Sequence, residues 1–105
     1  MIQLTEETRD GWRVVAVRGR ADAESADELE DALTGAIHSN ARVAVDFAAL
    51  DYISSAGLRA VITAARAAQV RQSGFVVCSP TTRVRKVFEV SGLQEIIQIV
   101  EVLPS

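Results

Sequence analysis

Two adjacent hydroxyls occupy the one place in this chain where side-chain chemistry has an obvious setting. They are Ser54 and Ser55, in the stretch Asp51-Tyr52-Ile53-Ser54-Ser55-Ala56-Gly57-Leu58. An apolar, strand-like run, Arg42-Val43-Ala44-Val45-Asp46-Phe47, comes before it. After it Leu58, Val61, Ile62 and Ala65 recur at the i, i+3, i+4, i+7 spacing of one buried helix face. The serines therefore stand where a strand hands over to a helix that starts at about Ser55. The first turn of a helix has amides without intrahelical partners and the positive end of the macrodipole. A serine there caps the helix, and a phosphate there is stabilised by the same groups. Spacing alone leaves both readings open. Asp22 has a similar double reading, as a cap or first-turn acid or as part of a site, and Leu58 fits either core or surface.

Other reactive side chains point away from catalysis. The single histidine, His38, falls near the end of a helix, where a cationic ring suits the dipole. It has no evident pairing with either serine. The serine junction lacks the Gly-x-Ser-x-Gly elbow of esterases. No phosphate-binding glycine loop and no Cys/His metal spacing occurs. An enzyme using Ser55 as nucleophile would lack its base. The single cysteine, Cys78, closes an apolar run and reads as a buried core thiol that cannot form an internal disulfide, which favours a reducing, cytoplasmic setting.

The elements that must position these residues follow from periodicity and turn signals. Ile2 to Glu7 reads as a short edge strand and Trp12 to Val17 as a second, with Asp10-Gly11 turning between them. Gly19-Arg20-Ala21-Asp22 breaks the second run. Ala26, Leu29, Leu33, Ala36 and Ile37 mark a first helix whose start is crowded with acids and which Ser39-Asn40 closes. Val43 to Phe47 is the third strand. The helix from Ser55 runs to about Gln72, with Ser73-Gly74 as its stop. Phe75 to Cys78 is a covered strand. Ser79-Pro80-Thr81 opens a third helix with Val84, Val87 and Phe88 inward, ended by Ser91-Gly92, and Ile96 to Val100 is the last strand. Glu101 to Ser105 is a short tail.

Strand, strand, then helix and strand alternating three times predicts an α/β fold. Its sheet is mixed and mostly parallel, with crossover helices and one antiparallel edge hairpin. In such units the loops leaving the carboxyl ends of parallel strands gather at one end of the sheet. Those loops are Gly19 to Asp22, Leu50 to Ser55 and Ser79 to Thr82, so Asp22 and the serine pair should share a surface.

Composition bounds the function classes. The length suits one domain, 1–105, with a single core. Apolar residues make up 49% and charged ones 24%, the balance of a folded protein. A net charge of −3 without a basic cluster argues against nucleic acid as a partner. The apolar runs stop short of a membrane span, and Met1 to Glu7 has no signal-peptide layout.

Several of these segments together resemble the STAS domain, in particular the bacterial anti-sigma factor antagonists. They are Val17-Arg18-Gly19-Arg20-Ala21-Asp22, where the family has a Gly-x-x-Asp turn, and Val45-Asp46-Phe47. The Asp51 to Leu58 junction, Gly74-Phe75-Val76-Val77-Cys78 and Val87-Phe88-Glu89-Val90-Ser91-Gly92-Leu93 complete the match. The resemblance spans nearly the whole chain and implies a single small STAS fold with helices packed on one face of the sheet.

It also implies a non-enzymatic regulatory module without a cofactor of its own. The partner would be a serine kinase/anti-sigma factor that holds ATP and magnesium, phosphorylates a serine at the start of the second helix and thereby releases the antagonist. A phosphoserine phosphatase would reset the cycle. The contact surface carried over comprises Asp22, Ser25, Ser54, Ser55, Gly57, Leu58 and Arg59. One departure from the family is plain. The commonest pattern is Asp-Ser-Ser-Gly, with the modified serine directly before the glycine, and Ala56 stands there. The acceptor then becomes Ser55, with Ser54 as the alternative. A domain without the switch, serving as a STAS interaction module of a stress-signalling scaffold or a transporter-associated assembly, is the competing reading. The tail beyond Val100 is too short for the further helix that many members carry.

Overall fold

A computed structural model describes residues 1–103. In chain order its elements are β1 (Ile2–Arg9), β2 (Trp12–Ala21), α1 (Ala26–Ser39), β3 (Arg42–Ile53), α2 (Ser55–Val70), β4 (Gly74–Cys78), α3 (Thr82–Val90), a 3-10 turn (Leu93–Glu95) and β5 (Gln98–Val100). The expected tail falls partly on residues 104–105, which lie outside the described residues.

The strands form one five-stranded sheet in the order β1-β2-β3-β4-β5. β1 runs antiparallel to β2 and every other pair is parallel. Each crossover moves to the next neighbour in the same direction. Because such crossovers share one hand, their helices all land on the same face. The burial pattern agrees. One core cluster joins Val15, Val17, Val43, Val45, Phe47 and Val77 of the sheet to Leu29, Leu33 and Ile37 of α1, Val61 and Ala64 of α2, and Val84 and Phe88 of α3. The smaller cluster on the other face, Trp12, Val14, Ala44, Val76 and Cys78, contains no helix residue. Val100 and Leu103 pack against it, and the Arg42 guanidinium lies 4.4 Å from the Trp12 ring centroid.

The turn between β1 and β2 is as the sequence predicts. Asp10 (φ 54°) and Gly11 (φ 83°) both take left-handed angles, the pair required by the tight hairpin turn that matches strand twist. β1 nevertheless continues to Arg9, since the ladder pairs Arg9 with Trp12.

Four expected boundaries shift. β2 does not break at Gly19 but runs to Ala21, and β3 runs past Phe47 to Ile53. The two strands extend because they pair with each other through two β-bulges. Ala16 faces Asp46 while Arg18 faces Ala49, and Gly19 faces Leu50 while Arg20 faces Tyr52. Each step places one extra residue on β3. Asp46 Oδ1 accepts the Ala48 amide (2.9 Å) within the first bulge. Gly19 sits at φ 99°, and a Cβ there would meet the Met1 carbonyl oxygen at 2.7 Å. A glycine that reads as a strand breaker is thus a bulge residue.

The close of α2 differs as well. The helix ends at Val70, and its left-handed closing residue is Gln72 (φ 57°), not Gly74. Ser73 N–H reaches Ala68 O (2.8 Å) and Gln72 N–H reaches Gln69 O (3.1 Å), the paired bonds of a Schellman close. Gly74 instead opens β4, where a Cβ would stand 3.4 Å from the Trp12 ring. Finally, β5 loses Ile96 and Ile97. Their amides are bound to Leu93 O (3.0 and 2.8 Å) by the 3-10 turn.

Candidate functional site

The second bulge sets the geometry of the serine junction. By bringing Ile53 level with Ala21, it lets Ser54 N–H donate to Ala21 O (2.8 Å), one bond beyond the ladder. The first turn of α2 then lies directly on the end of β2. A Cβ at Gly57 would be 2.6 Å from Ala21 O and 2.9 Å from Ile53 Cγ1, so only glycine permits this approach. The third loop joins the same end, since Thr81 Oγ1 donates to Leu50 O (3.2 Å) while capping α3 through the Val84 amide (3.3 Å). Asp22 and the serine pair therefore do share one end of the sheet.

The two hydroxyls are not equivalent. Ser54 is the N-cap of α2, half-buried, with extended backbone and its Oγ accepting from Gly57 N–H (3.3 Å). Ser54 O accepts the Leu58 amide (2.8 Å). Ser55 is the first helical residue, exposed, and its hydroxyl makes no hydrogen bond among the described residues. No acidic residue stands in the first turn of α2. Ala56 is half-buried.

Asp22 and Ser25 form a closed loop at the entrance to α1. The Asp22 carboxylate accepts from Ser25 Oγ (3.1 Å), Glu24 N–H (3.2 Å) and Ser25 N–H (3.3 Å). Ser25 Oγ accepts from the Asp22 amide (3.0 Å) and lies 3.0 Å from Arg20 O. Desolvation raises the Asp22 pKa, but hydrogen bonds from Ser25 and Glu24 and the charge of the N-terminal ammonium outweigh it and hold it below the ordinary 3.8.

The contact surface expected from the sequence needs correction on three members. Ser25 is 5% exposed and spends its hydroxyl inside the loop. Gly57 is buried by the close approach to Ala21, and Leu58 belongs to the core cluster. Those three hold the junction in place from beneath. Asp22 and Ser54 are half-buried, and Ser55 and Arg59 are exposed, as is the bulged Asp51.

Two candidates lie elsewhere. His38, at the end of α1, offers its carbonyl to Arg71 Nη2 (3.1 Å) at the close of α2, which is the opposite end of the sheet from the serines. Cys78 is 2% exposed on the helix-free face, and burial, with the nearby Asp46 charge, pushes its pKa from 9.0 to about 11. Among the described residues no group of three His, Cys, Asp or Glu could hold a metal, and no helix is long and apolar enough to cross a membrane. A groove of about 620 Å³ between α2, the start of β4 and the end of the 3-10 turn, lined by Ile62, Ala65, Phe75 and Ile96 among others, touches none of the junction residues.

Sequence reasoning missed one pair at this end. Arg20 and Tyr52 are partners in the ladder, and the guanidinium carbon lies 4.2 Å from the ring centroid. Reading β2 as ending before Gly19 concealed them. The alternation of apolar or small residues with arginines from Val17 to Ala21 was the available signal.

Comparison with known proteins completes this picture. Residues 4–101 match the family model described as "Mlab, STAS domain". The chain belongs to the STAS family. It is 35% identical over 99 residues to the putative anti-sigma factor antagonist BtrV of Bordetella bronchiseptica, a match that covers 93% of this chain and 85% of that protein. The anti-sigma-B factor antagonist of Listeria monocytogenes is 29% identical over 86 residues, covering 81% of this chain and 75% of that protein. An anti-sigma factor antagonist from Mycobacterium paratuberculosis superposes with a TM-score of 0.89 at 24% identity, over 98% of this chain and 88% of that one. The antagonist SpoIIAA in its unphosphorylated form gives 0.75 at 22% identity over 94% of this chain and 87% of that one. At these identities the two structures establish the shared STAS fold, a single small mixed sheet with helices on one face.

Proposed function

We propose that this protein is a bacterial anti-sigma factor antagonist, a non-enzymatic regulator that binds a serine kinase acting as anti-sigma factor and is released by phosphorylation of Ser55. The observation that carries the switch is the asymmetry between the two hydroxyls. Ser54 Oγ is engaged as the helix cap, whereas Ser55 is exposed and unbonded at the first position of α2. A kinase can reach Ser55 without undoing the cap. The similarity to named antagonists supports the choice of partner.

The contact surface consists of Asp22, Ser54, Ser55 and Arg59, with Ser25, Gly57 and Leu58 supporting it. Phosphate on Ser55 would add about −1.5 to −2 charges. In the free protein the α2 N-terminus stabilises that charge. In the complex it would be desolvated against a partner beside Asp22 and Asp51. The penalty is specific to the complex, so phosphorylation shifts the equilibrium toward release. A phosphoserine phosphatase restores binding, and ATP stays with the kinase. The cycle belongs to the cytoplasm.

The test is a phosphosite map. The purified chain is incubated with ATP and an extract of the source cells under phosphatase inhibition, then digested and read by mass spectrometry. Phosphate on Ser55, lost in Ser55→Ala, is the expected result. Phosphate on Ser54 would overturn the acceptor assignment. An unmodified chain beside a phosphorylated control antagonist would leave a STAS module that works without the cycle.

A further inference from the structure

The pairing of Arg20 with Tyr52 extends the candidate surface around the end of the sheet. Both residues sit where the second bulge re-registers β2 and β3, next to Ala21 and Ile53. Ala21 and Ile53 are buried in the helix-side core, so alternation turns Arg20 and Tyr52 to the helix-free face. Ala16 and Arg18 precede Arg20 on that same face. Arg18 and Arg20 are both exposed, and neither has an acidic oxygen within 4.0 Å among the described residues, where ion pairs form only at Arg13–Glu6 and Arg85–Glu101. Asp22, the nearest acid in sequence, has its carboxylate turned onto Ser25 and Glu24.

Arg20 is also held. Its amide donates to Met1 O (3.0 Å), its carbonyl lies 3.0 Å from Ser25 Oγ, and its guanidinium carbon lies over the Tyr52 ring, 4.2 Å from the centroid. A guanidinium held over a ring by its central carbon still has N–H donors to offer, and a planar guanidinium is the group that binds a carboxylate in bidentate fashion. Little side-chain freedom remains to be lost on docking. Arginine and tyrosine are also the residue types that dominate the energetics of protein interfaces.

We infer that the Arg20–Tyr52 stack, with Arg18 beside it, is a binding hot spot for an acidic side chain of the protein partner, so that the docking surface wraps from α2 onto the helix-free face. The inference rests on the antagonist reading, because the partner is the kinase. The charge of two unpaired arginines selects an Asp or Glu on that partner.

The probe is the purified kinase recovered as the enzyme that phosphorylates this chain, titrated against parent and variant chains by calorimetry without ATP. Arg20→Gln is expected to weaken binding about tenfold or more. Arg20→Lys should recover little of this, since lysine keeps the charge but not the stacked fork. Tyr52→Leu should lose affinity while Tyr52→Phe keeps it. Thermal unfolding of all four variants checks that the fold is intact. Parent-like affinity in Arg20→Gln would overturn the inference while leaving the antagonist reading standing. A parent chain that binds no such kinase would defeat both.

Discussion

At the scale of single residues, the serine junction pairs a capping hydroxyl with an exposed one that makes no hydrogen bond among the described residues. Ser54→Ala removes the cap of α2 and should cost about 1 kcal/mol in urea unfolding. Ser55→Ala touches no hydrogen bond and should stay within about 0.5 kcal/mol of the parent. Gly57→Ala is the severe change at this site. Its methyl would collide with the Ala21 carbonyl, a backbone atom that cannot swing aside, and about 1–3 kcal/mol of overpacking strain is expected. Because the same collision pushes α2 off β2, Gly57→Ala should also weaken partner binding without altering any exposed atom of the contact surface.

At the scale of elements, the entrance to α1 depends on charge. The Asp22 carboxyl is below 3.8 in the folded chain, so its ionised form contributes stability above the unfolded pKa. That contribution is lost as pH falls through the folded value. The parent should thus be more stable than Asp22→Asn near neutrality, and the two should converge in acid, which a series of urea titrations across pH would read. α3 is anchored differently. Phe88 is fully buried and its ring centroid lies 6.3 Å from that of Phe47. Phe88→Ala is expected to cost about 3–5 kcal/mol in the same assay.

For the whole molecule, the helix-free face supplies a reporter of global unfolding. Cys78 is 2% exposed and its thiol pKa is about 11 rather than 9.0. A native-state thiol that is both covered and protonated reacts slowly, so alkylation at pH 8 should track the rate of unfolding. The raised pKa also fixes a sign. The unfolded thiol ionises first, so this group's contribution is complete below pH 9.0 and declines as pH rises toward about 11. Parent stability should fall across that range relative to Cys78→Ala.

The architecture itself was legible along the chain. The alternation of apolar strands with helices at 3.6 spacing implied the parallel sheet and the edge hairpin, because burial periodicity is a local property of sequence, while the packing of all helices on one face was implied by the resemblance to the STAS domain. So was the gathering of Asp22 with Ser54 and Ser55, which follows from the topology of crossovers. What escaped the sequence was decided by backbone pairing between distant segments. Gly19 reads as a break until β3 supplies a partner, and only then are Arg20 and Tyr52 stacked. Gly74 reads as a helix stop, yet it opens β4 against the side chains of Arg42 and Trp12, and Gln72 bears the left-handed turn. Ser25 and Leu58 read as contact residues until packing turns them inward. Residue types and their spacing determined which elements form and where the site lies. Register, bulges and close approach decided which of its side chains are exposed and which are buried, because those depend on atoms brought together only by the fold.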